Sequence, residues 1–251
     1  MSARHFDSST QFPTKIFLTG LAFELVLVAL YWLDIATNYT FQLLHGLFDL
    51  DSEGNIPAWF SSCQLFAVAI SFFSCARRRG TDSRPSRVFF ILSGIGALYV
   101  SSDETAQIHE KLHALIGARY IDWVPQFAAE NFFLVMVFVA VLVSIGQLLS
   151  RDALALWAHH RRIVLLTALG IAIGLTGGMV VEALGYRIPT ATHPILYRIE
   201  VTVEEFMEMS GASVILFAAL HLRRRLKSHT RLLTMRRPVA DQSLGSYQAV
   251  S

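Results

Sequence analysis

Six apolar stretches run through the chain, and short polar segments separate them. Each is about 20 residues long, which is the length that a helix needs to cross the hydrocarbon core of a bilayer. The stretches cover residues 16–36, 57–76, 88–107, 130–149, 163–184 and 202–222. The pattern predicts an all-α membrane bundle of six transmembrane helices at 16–222. A polar N-terminal segment at 1–15 precedes the bundle, and a basic tail at 223–251, expected to be disordered, follows it.

Composition agrees with this pattern. Hydrophobic residues make up 53% of the chain and charged residues 16%, whereas a soluble domain is roughly 25% charged. The two cysteines, Cys63 and Cys75, would lie about 18 Å apart on one helix, too far for a disulfide. There is no cleavable secretory signal, no phosphate-binding loop and no serine-nucleophile motif. Nucleic-acid binding, nucleotide binding and serine-triad chemistry have no support, and the membrane lipid is the expected partner.

Basic residues are distributed unequally between alternate loops. Seventeen Lys and Arg residues fall before the first stretch, in the links after the second and fourth, and after the sixth, whereas four fall in the other loops. Positive charge is retained on the cytoplasmic side of a membrane protein. The sequence therefore predicts cytoplasmic N and C termini.

Acidic residues gather on the opposite side, in the loops and at the helix ends that are poor in Lys and Arg. Fourteen of the nineteen lie there, although acids contribute little to topology. An acid within the membrane costs about 2.5 kcal/mol or more and usually faces the bundle interior. The set includes Asp34, Asp49, Asp51, Glu53, Asp103, Glu104, Glu110, Asp122, Glu130, Glu182, Glu200, Glu204, Glu205 and Glu208.

Some of these acids would lie on one face of a helix. Asp103, Gln107, Glu110 and, less squarely, His113 would share one stripe of a continuing third helix, whereas Glu104 lies off it. Glu110 and His113 form an E-x-x-H pair, the spacing with which helical bundles hold iron.

The fifth and sixth stretches carry further candidates. Gly170, Gly174 and Gly178 precede Glu182 at four-residue steps, a small-residue face that permits close helix approach. Glu204 and Glu208 share a face of the sixth stretch, with Glu205 beside them. Glu200, Asp122 and Glu53 are expected to be solvated.

A divalent cation, shared protons or arginines would relieve repulsion within such a cluster. The predicted metal ligands are Glu110, His113, Glu208, Glu182 and Asp103, with His109 and His45 as weaker candidates. A set rich in acids favours iron, manganese, calcium or magnesium over zinc.

Two further acidic features lie outside this set. Asp49 and Asp51 begin a loop that imitates a calcium site but lacks the glutamate at its twelfth position. A turn closed by Gly54 and Asn55, a looser ion site and a lid over the polar end are the alternatives. Glu24 lies about 13 Å into the membrane from Lys15. It is interpreted as a buried hydrogen-bonding group or as a step in a proton or cation path.

Three segments, FDLDSEGNIPAWFSS, SSDETAQIHE and VEEFMEMSG, resemble a group of uncharacterised bacterial polytopic inner-membrane proteins. The resemblance implies a fold and a location but no activity. The acids and histidines are more distantly similar to the alkaline ceramidase and adiponectin-receptor hydrolases, which hold zinc among seven spans. This chain has six stretches and lacks the H-x-x-x-H pair of that superfamily.

Three functions follow from these observations. The first is a metal-dependent membrane enzyme that acts on a lipid or another amphipathic substrate. The second is a cation- or proton-coupled transporter, which in so short a chain would form a homo-oligomer. The third is a binding or assembly protein in which the polar cluster is structural.

Overall fold

All regular elements are helices in the part of the chain that this computed structural model describes, namely residues 8–52, 54–79, 83–108, 111, 126–185 and 187–245. Within these ranges, side chains are described for all residues except 8–10, 126–145, 147–149 and 228–245. The predicted all-α fold class is confirmed. The elements are α1 (Ser8–Ala36), α2 (Gln42–Phe48), α3 (Ile56–Ala76), α4 (Arg87–Ala106), α5 (Gln126–Leu175), a π-helical segment (Thr176–Val181), α6 (Glu182–Gly185) and α7 (Pro194–Gly245).

Three helical segments are long and apolar enough to cross a membrane: Gln11–Ala36, Ile56–Ala76 and Ser150–Gly185. Large apolar side chains project from them, such as Leu18 and Trp59, which are 57% and 59% exposed. Exposed apolar surface of this extent is typical of membrane or protein interaction sites. The chain therefore has the character of a membrane protein.

Two core clusters lie at opposite ends of the bundle. One contains Cys75, Phe90 and Leu222, which are close in sequence to the arginines at 77–79, 87 and 223–225; we name this the basic end. The other contains Tyr31, Leu50 and Val201, which are close to Asp34, Asp49, Asp51 and Glu200; we name this the acidic end. Helices α3 and α7 contribute to both clusters, so each extends between the two ends.

Helix α7 packs against α1, α3, α5 and the π-helical segment. Glycines bring α5 and α7 into backbone contact. A Cβ atom on Gly170 would lie 2.8 Å from the carbonyl oxygen of Gly211, and one on Gly211 would lie 2.8 Å from the nitrogen of Gly174. Gly174 itself faces open space. The predicted close approach of the glycine face is confirmed.

A buried acid fixes the loop before α4 to α5. Asp152 is 2% exposed and accepts hydrogen bonds from the backbone N–H and Oγ of Ser86, at 2.9 and 2.7 Å, and from Arg84, at 3.1 Å. Ser86 Oγ in turn accepts from the N–H of Phe89 and caps α4. These hydrogen bonds attach the loop before α4 to α5, the helix that carries the glycine face.

Two features of the backbone differ from the sequence-based expectation or add to it. Helix α7 continues to Gly245, although the tail at 223–251 is predicted to be disordered. The segment after Leu222 is rich in Leu, Arg and Lys, which are good helix formers. Within α5, the backbone at His160 leaves helical geometry (φ −138°, ψ 36°), between the predicted stretches at 130–149 and 163–184.

Candidate functional site

The glycine face of α5 ends in the π-helical segment, which leads directly into Glu182. The N–H of Glu182 donates to the carbonyl of Gly177, five residues earlier. Single π-helical turns inside α-helices occur frequently at functional sites. Here the wide turn ends at an acidic residue and lies against α7.

Three glutamates of α7 lie opposite this segment at four-residue spacing: Glu200, Glu204 and Glu208. A Cβ atom on Gly178 would collide with Oε1 of Glu208, and one on Gly185 would collide with the carboxyl group of Glu200. The glycines therefore provide the space into which these carboxyl groups fit. We call Glu182, Glu200, Glu204 and Glu208 the carboxyl row.

Members of the row interact with one another. Glu204 has electrostatic contacts with Glu208, Glu182 and Glu200, and it forms a hydrogen bond with Glu200. Two carboxyl groups can share a hydrogen bond only when one of them carries a proton. Burial raises the pKa of Glu200, as do the charges of Asp51 and Glu182, whereas the hydrogen bond with Glu204 lowers it. Glu200 is 8% exposed, so the expectation that it is solvated is wrong.

The structure brings together part of the predicted metal site. Glu182 and Glu208 lie in the row, whereas Asp103 interacts with Tyr99 of its own helix. Glu110, His113 and His109 lie outside the described residues, as do Glu53 and Asp122. Among the residues that are described, no three His, Cys, Asp or Glu side chains are arranged to hold a metal ion. The metal site therefore stays a prediction.

The predicted stripe from Asp103 to His113 is not a continuous helical face. Helix α4 ends at Ala106, and Gln107 adopts a left-handed conformation (φ 52°, ψ 45°) while its N–H donates to the carbonyl of Asp103. This reverses the helical sense of the backbone, so i, i+4, i+7 phasing does not pass through residue 107. Glu104 lies on the last turn of α4 and is half-buried.

Beside the row, a polar pocket of about 280 Å³ opens at the acidic end. We call it the acidic-end pocket. It lies between the loops on either side of α2 and the beginning of α7. Its lining is rich in acidic and aromatic side chains and consists of Tyr31, Tyr39, His45, Asp49, Asp51, Thr190, Pro194, Tyr197 and Arg198.

A buried carboxylate holds the histidine of this pocket. Nδ1 of His45 is 3.0 Å from Oδ2 of Asp34, which is 2% exposed, and Nε2 of His45 is 4.0 Å from Oδ2 of Asp49. Oδ1 of Asp34 is buried and has no hydrogen-bond partner among the described residues. His45 thus has one nitrogen fixed by Asp34 and the other near the carboxylate of Asp49.

The other wall of the pocket belongs to α7. Tyr197 donates a 2.7 Å hydrogen bond to Asp51, and the Arg198 guanidinium lies 5.3 Å from the centre of the Tyr39 ring. Burial, together with the hydrogen bond to Asp51, raises the pKa of Tyr197. Because Asp51 and Tyr197 also interact with Glu200, the pocket and the carboxyl row are electrostatically continuous.

The loop with Asp49 and Asp51 leads into a turn before α3. Gly54 has a φ of +76°, and Asn55 caps α3 by accepting from the N–H of Ala58 at 3.1 Å. The Asn55 amide also donates to the carbonyls of Asp49 and Ser52. The predicted turn at Gly54 and Asn55 is therefore present, whereas the looser ion site stays a prediction. Asp49 and Asp51 of this loop line the pocket.

Sequence reasoning missed several residues of this site: Asp34 as the partner of His45, and Tyr31, Tyr39, Tyr197 and Arg198 as pocket walls. The sequence does indicate Asp34 as a candidate site residue in one respect, because it is an acid at the end of an apolar stretch. Its partner is eleven residues away, beyond two residues with positive φ, Asn38 and Tyr39, and no helical spacing predicts that contact.

A second polar group lies deeper between α1, α3 and α7. Glu24 is fully buried. Its Oε1 accepts hydrogen bonds from Ser213 Oγ at 2.6 Å and from Gln64 Nε2 at 3.1 Å. Gln64 Nε2 also donates to Ser213 Oγ at 2.7 Å. Glu24 is therefore a buried hydrogen-bonding group, whereas its predicted protonated form and the alternative of a proton or cation path stay predictions.

Comparison with known proteins adds a family but no activity. No curated protein and no solved structure matches the chain. A family model described as a domain of unknown function, DUF8692, matches residues 18–223. That range runs from α1 into α7 and includes the acidic-end pocket and the carboxyl row. The chain therefore belongs to the DUF8692 family.

Proposed function

We propose that the chain is a multi-pass protein of a bacterial inner membrane, with six spans and both termini in the cytoplasm. The two ends of the bundle support this topology. Helices α3 and α7 extend from the basic to the acidic end, and the Lys and Arg residues divide 17 to 4 between the corresponding loops. The acidic end then faces away from the cytosol.

Cysteine labelling tests this orientation. In a Cys63→Ala background, Ser52→Cys lies at the acidic end and Ala153→Cys lies near Arg151 on the basic side; both positions are exposed. A membrane-impermeant maleimide is expected to label Ser52→Cys in intact cells and Ala153→Cys only after permeabilisation. The reverse order, or equal labelling of the two variants in intact cells, would contradict the topology.

The acidic-end pocket is suited to the polar headgroup of a membrane amphiphile. Three tyrosines and the carboxylates of Asp49 and Asp51 surround it, and aromatic faces together with carboxylates attract an ammonium group. Arg198 supplies the opposite charge in the same pocket, and an arginine pairs well with a phosphate. A headgroup that carries both an ammonium and a phosphate group matches this lining.

The exposed apolar side chains of α2 and of Phe41 before it support a ligand that enters from the bilayer rather than from bulk water. Phe41, Leu43 and Leu47 are exposed along this short element, Leu43 by 76%, while His45 lines the pocket from the same element. Apolar side chains around a polar pocket at a membrane surface are suited to the headgroup–acyl boundary. The pocket would then lie at the level of the headgroups.

We therefore propose that the protein binds an aminophospholipid-like headgroup at its outer face and acts on it as a membrane enzyme. The observation that carries the catalytic part is the contact between His45 and the buried Asp34. A buried carboxylate that orients an imidazole prepares it for proton transfer. His45 is the proposed base, and Arg198 is the proposed phosphate contact.

Lipid binding by the purified protein tests the proposal. In native mass spectrometry, short-chain phosphatidylethanolamine is expected to bind more tightly than phosphatidylglycerol of the same chain length. Asp51→Asn removes one charged contact of the ammonium and should weaken phosphatidylethanolamine binding by about 10-fold or more. The matched control is Asp103→Asn, the same change on α4 outside the pocket lining, which should leave binding unchanged. Equal affinities for the two lipids, or equal effects of the two variants, would refute the headgroup site.

A further inference from the structure

An apolar groove of about 500 Å³ lies on the face of the bundle formed by α1, α3 and α7. It is separate from the acidic-end pocket and shares no lining residue with it. Along α1 the lining extends from Phe12 to Phe23, and on α3 it includes Trp59, Phe60 and Gln64. The Phe23 and Phe60 rings are 4.7 Å apart. Exposed side chains beside the groove, such as Leu18, are apolar, so its surroundings are those of a lipid-facing surface.

Polar atoms interrupt this apolar lining at one place. Gln64 and Ser213, which are 5% and 3% exposed, line the groove together with Gly20. Both are held by Glu24, which lies behind them. The Gln64 amide nitrogen has two partners, whereas its Oε1 is buried and has none in the described part of the chain. A buried acceptor without a partner costs about 1–3 kcal/mol, so a ligand hydroxyl at this point would be stabilising.

Positive charge lies at the end of the groove nearest the basic end. Lys15 is exposed and belongs to the lining. Phe12, the first lining residue, lies 5.0 Å under the guanidinium of Arg224. Lys15 precedes Gly20 by about 7.5 Å along the helix. From the basic end towards the acidic end, a ligand in the groove would therefore lie first beside the positive charge of Lys15 and then beside the Gln64 acceptor. Its far end would lie beside the aromatic rings of Phe23, Phe60 and Trp59.

We propose that this groove binds an anionic single-chain glycerophospholipid from the cytoplasmic leaflet. Its phosphate lies at Lys15, the free hydroxyl of its glycerol backbone donates to Oε1 of Gln64, and its one acyl chain runs towards Trp59. A single groove accommodates one chain, and among glycerophospholipids only the monoacyl form carries a free backbone hydroxyl close to its phosphate. The site goes beyond the proposed function. Its assignment to the cytoplasmic leaflet rests on the proposed orientation, but the site does not depend on the headgroup pocket.

Trp59 gives a direct measurement, because brominated acyl chains quench tryptophan fluorescence on contact. The protein in nanodiscs is titrated with monoacyl phosphatidylglycerol that is brominated near the end of its chain. The Trp59→Phe variant supplies the signal of the other tryptophans. Saturable quenching of the Trp59 component is expected, with clearly weaker quenching by monoacyl phosphatidylcholine and by diacyl phosphatidylglycerol carrying the same bromines.

Three variants separate the groove from general lipid contact. Lys15→Gln removes the positive charge at the exposed end of the groove and should weaken binding of the anionic lipid by about fivefold. Lys227→Gln, the same change at another exposed position near the basic end, should have no effect. Gln64→Leu should reduce the preference for the monoacyl over the diacyl lipid. Equal quenching by anionic and zwitterionic lipids, or equal effects of the two lysine variants, would show annular lipid only and overturn the proposal. None of these measurements involves Asp51. The headgroup site could therefore be refuted while the proposed lipid site in the groove is supported.

Discussion

Replacing Gly170 with alanine is expected to lower the free energy of unfolding by about 1–3 kcal/mol, the usual cost of overpacking. The added Cβ atom would lie 2.8 Å from the Gly211 carbonyl oxygen and 2.7 Å from Cγ1 of Ile215. Because one of these neighbours is backbone, α5 and α7 would have to separate. Unfolding is measured in a Cys63→Ala background, which removes the exposed thiol. The buried thiol of Cys75 then reacts with a maleimide dye as the protein unfolds during heating in detergent.

Gly174→Ala is the matched control for this change. It lies one turn further along α5, and its own Cβ atom would meet nothing within 4 Å. Alanine is the better helix former by about 1 kcal/mol, so this variant should be unchanged or slightly more stable. Equal losses of stability in the two variants would contradict the close packing of α5 on α7.

Asp152→Ala is expected to destabilise the protein by about 2–3 kcal/mol, since hydrogen bonds to a charged group contribute about 1.5–3 kcal/mol. The substitution removes the acceptor of three hydrogen bonds and leaves the N–H of Ser86 without its partner. The Arg84 contact contributes little to this figure, because the Arg84 side chain is 52% exposed. The same thiol-reactivity measurement gives the loss.

A double-mutant cycle with Ser86→Ala shows whether the loss arises from this contact. Ser86→Ala removes the hydroxyl bond to Asp152 and the cap on α4, and it leaves the bond from the backbone N–H of Ser86 to Asp152 in place. Coupled residues give interaction free energies of about 0.5–3 kcal/mol, whereas independent sites add. Additive effects of the two substitutions would mean that the Ser86 hydroxyl is not coupled to Asp152.

Two helices, α3 and α4, could be predicted closely from the sequence, because long apolar stretches leave little choice of structure. The predicted stretch at 57–76 corresponds to α3, which begins one residue earlier at Ile56. The stretch at 88–107 corresponds to α4, which is shifted by one residue at each end. Contacts that depend on helical spacing were also predictable, as the glycine face of α5 and the pair Glu204 and Glu208 illustrate.

The pocket could not be predicted in the same way, because its contacts join segments that are distant in sequence. Tyr197 and Asp51 are 146 residues apart, and no local pattern indicates that they meet. Departures of the backbone from α-helical geometry also could not be predicted from sequence spacing. The left-handed Gln107 ends a face that sequence spacing continues, and the π-helical segment interrupts the four-residue phasing that precedes Glu182.

The fit between the glycines of one helix and the glutamates of the next has an evolutionary consequence. Gly178 leaves space for Glu208, and Gly185 leaves space for Glu200. A methyl group gained on one side would expel the acid, and an acid lost on the other would leave a void between the helices. Relatives of this chain should therefore vary at these positions in pairs, with glycine retained wherever the facing glutamate is retained.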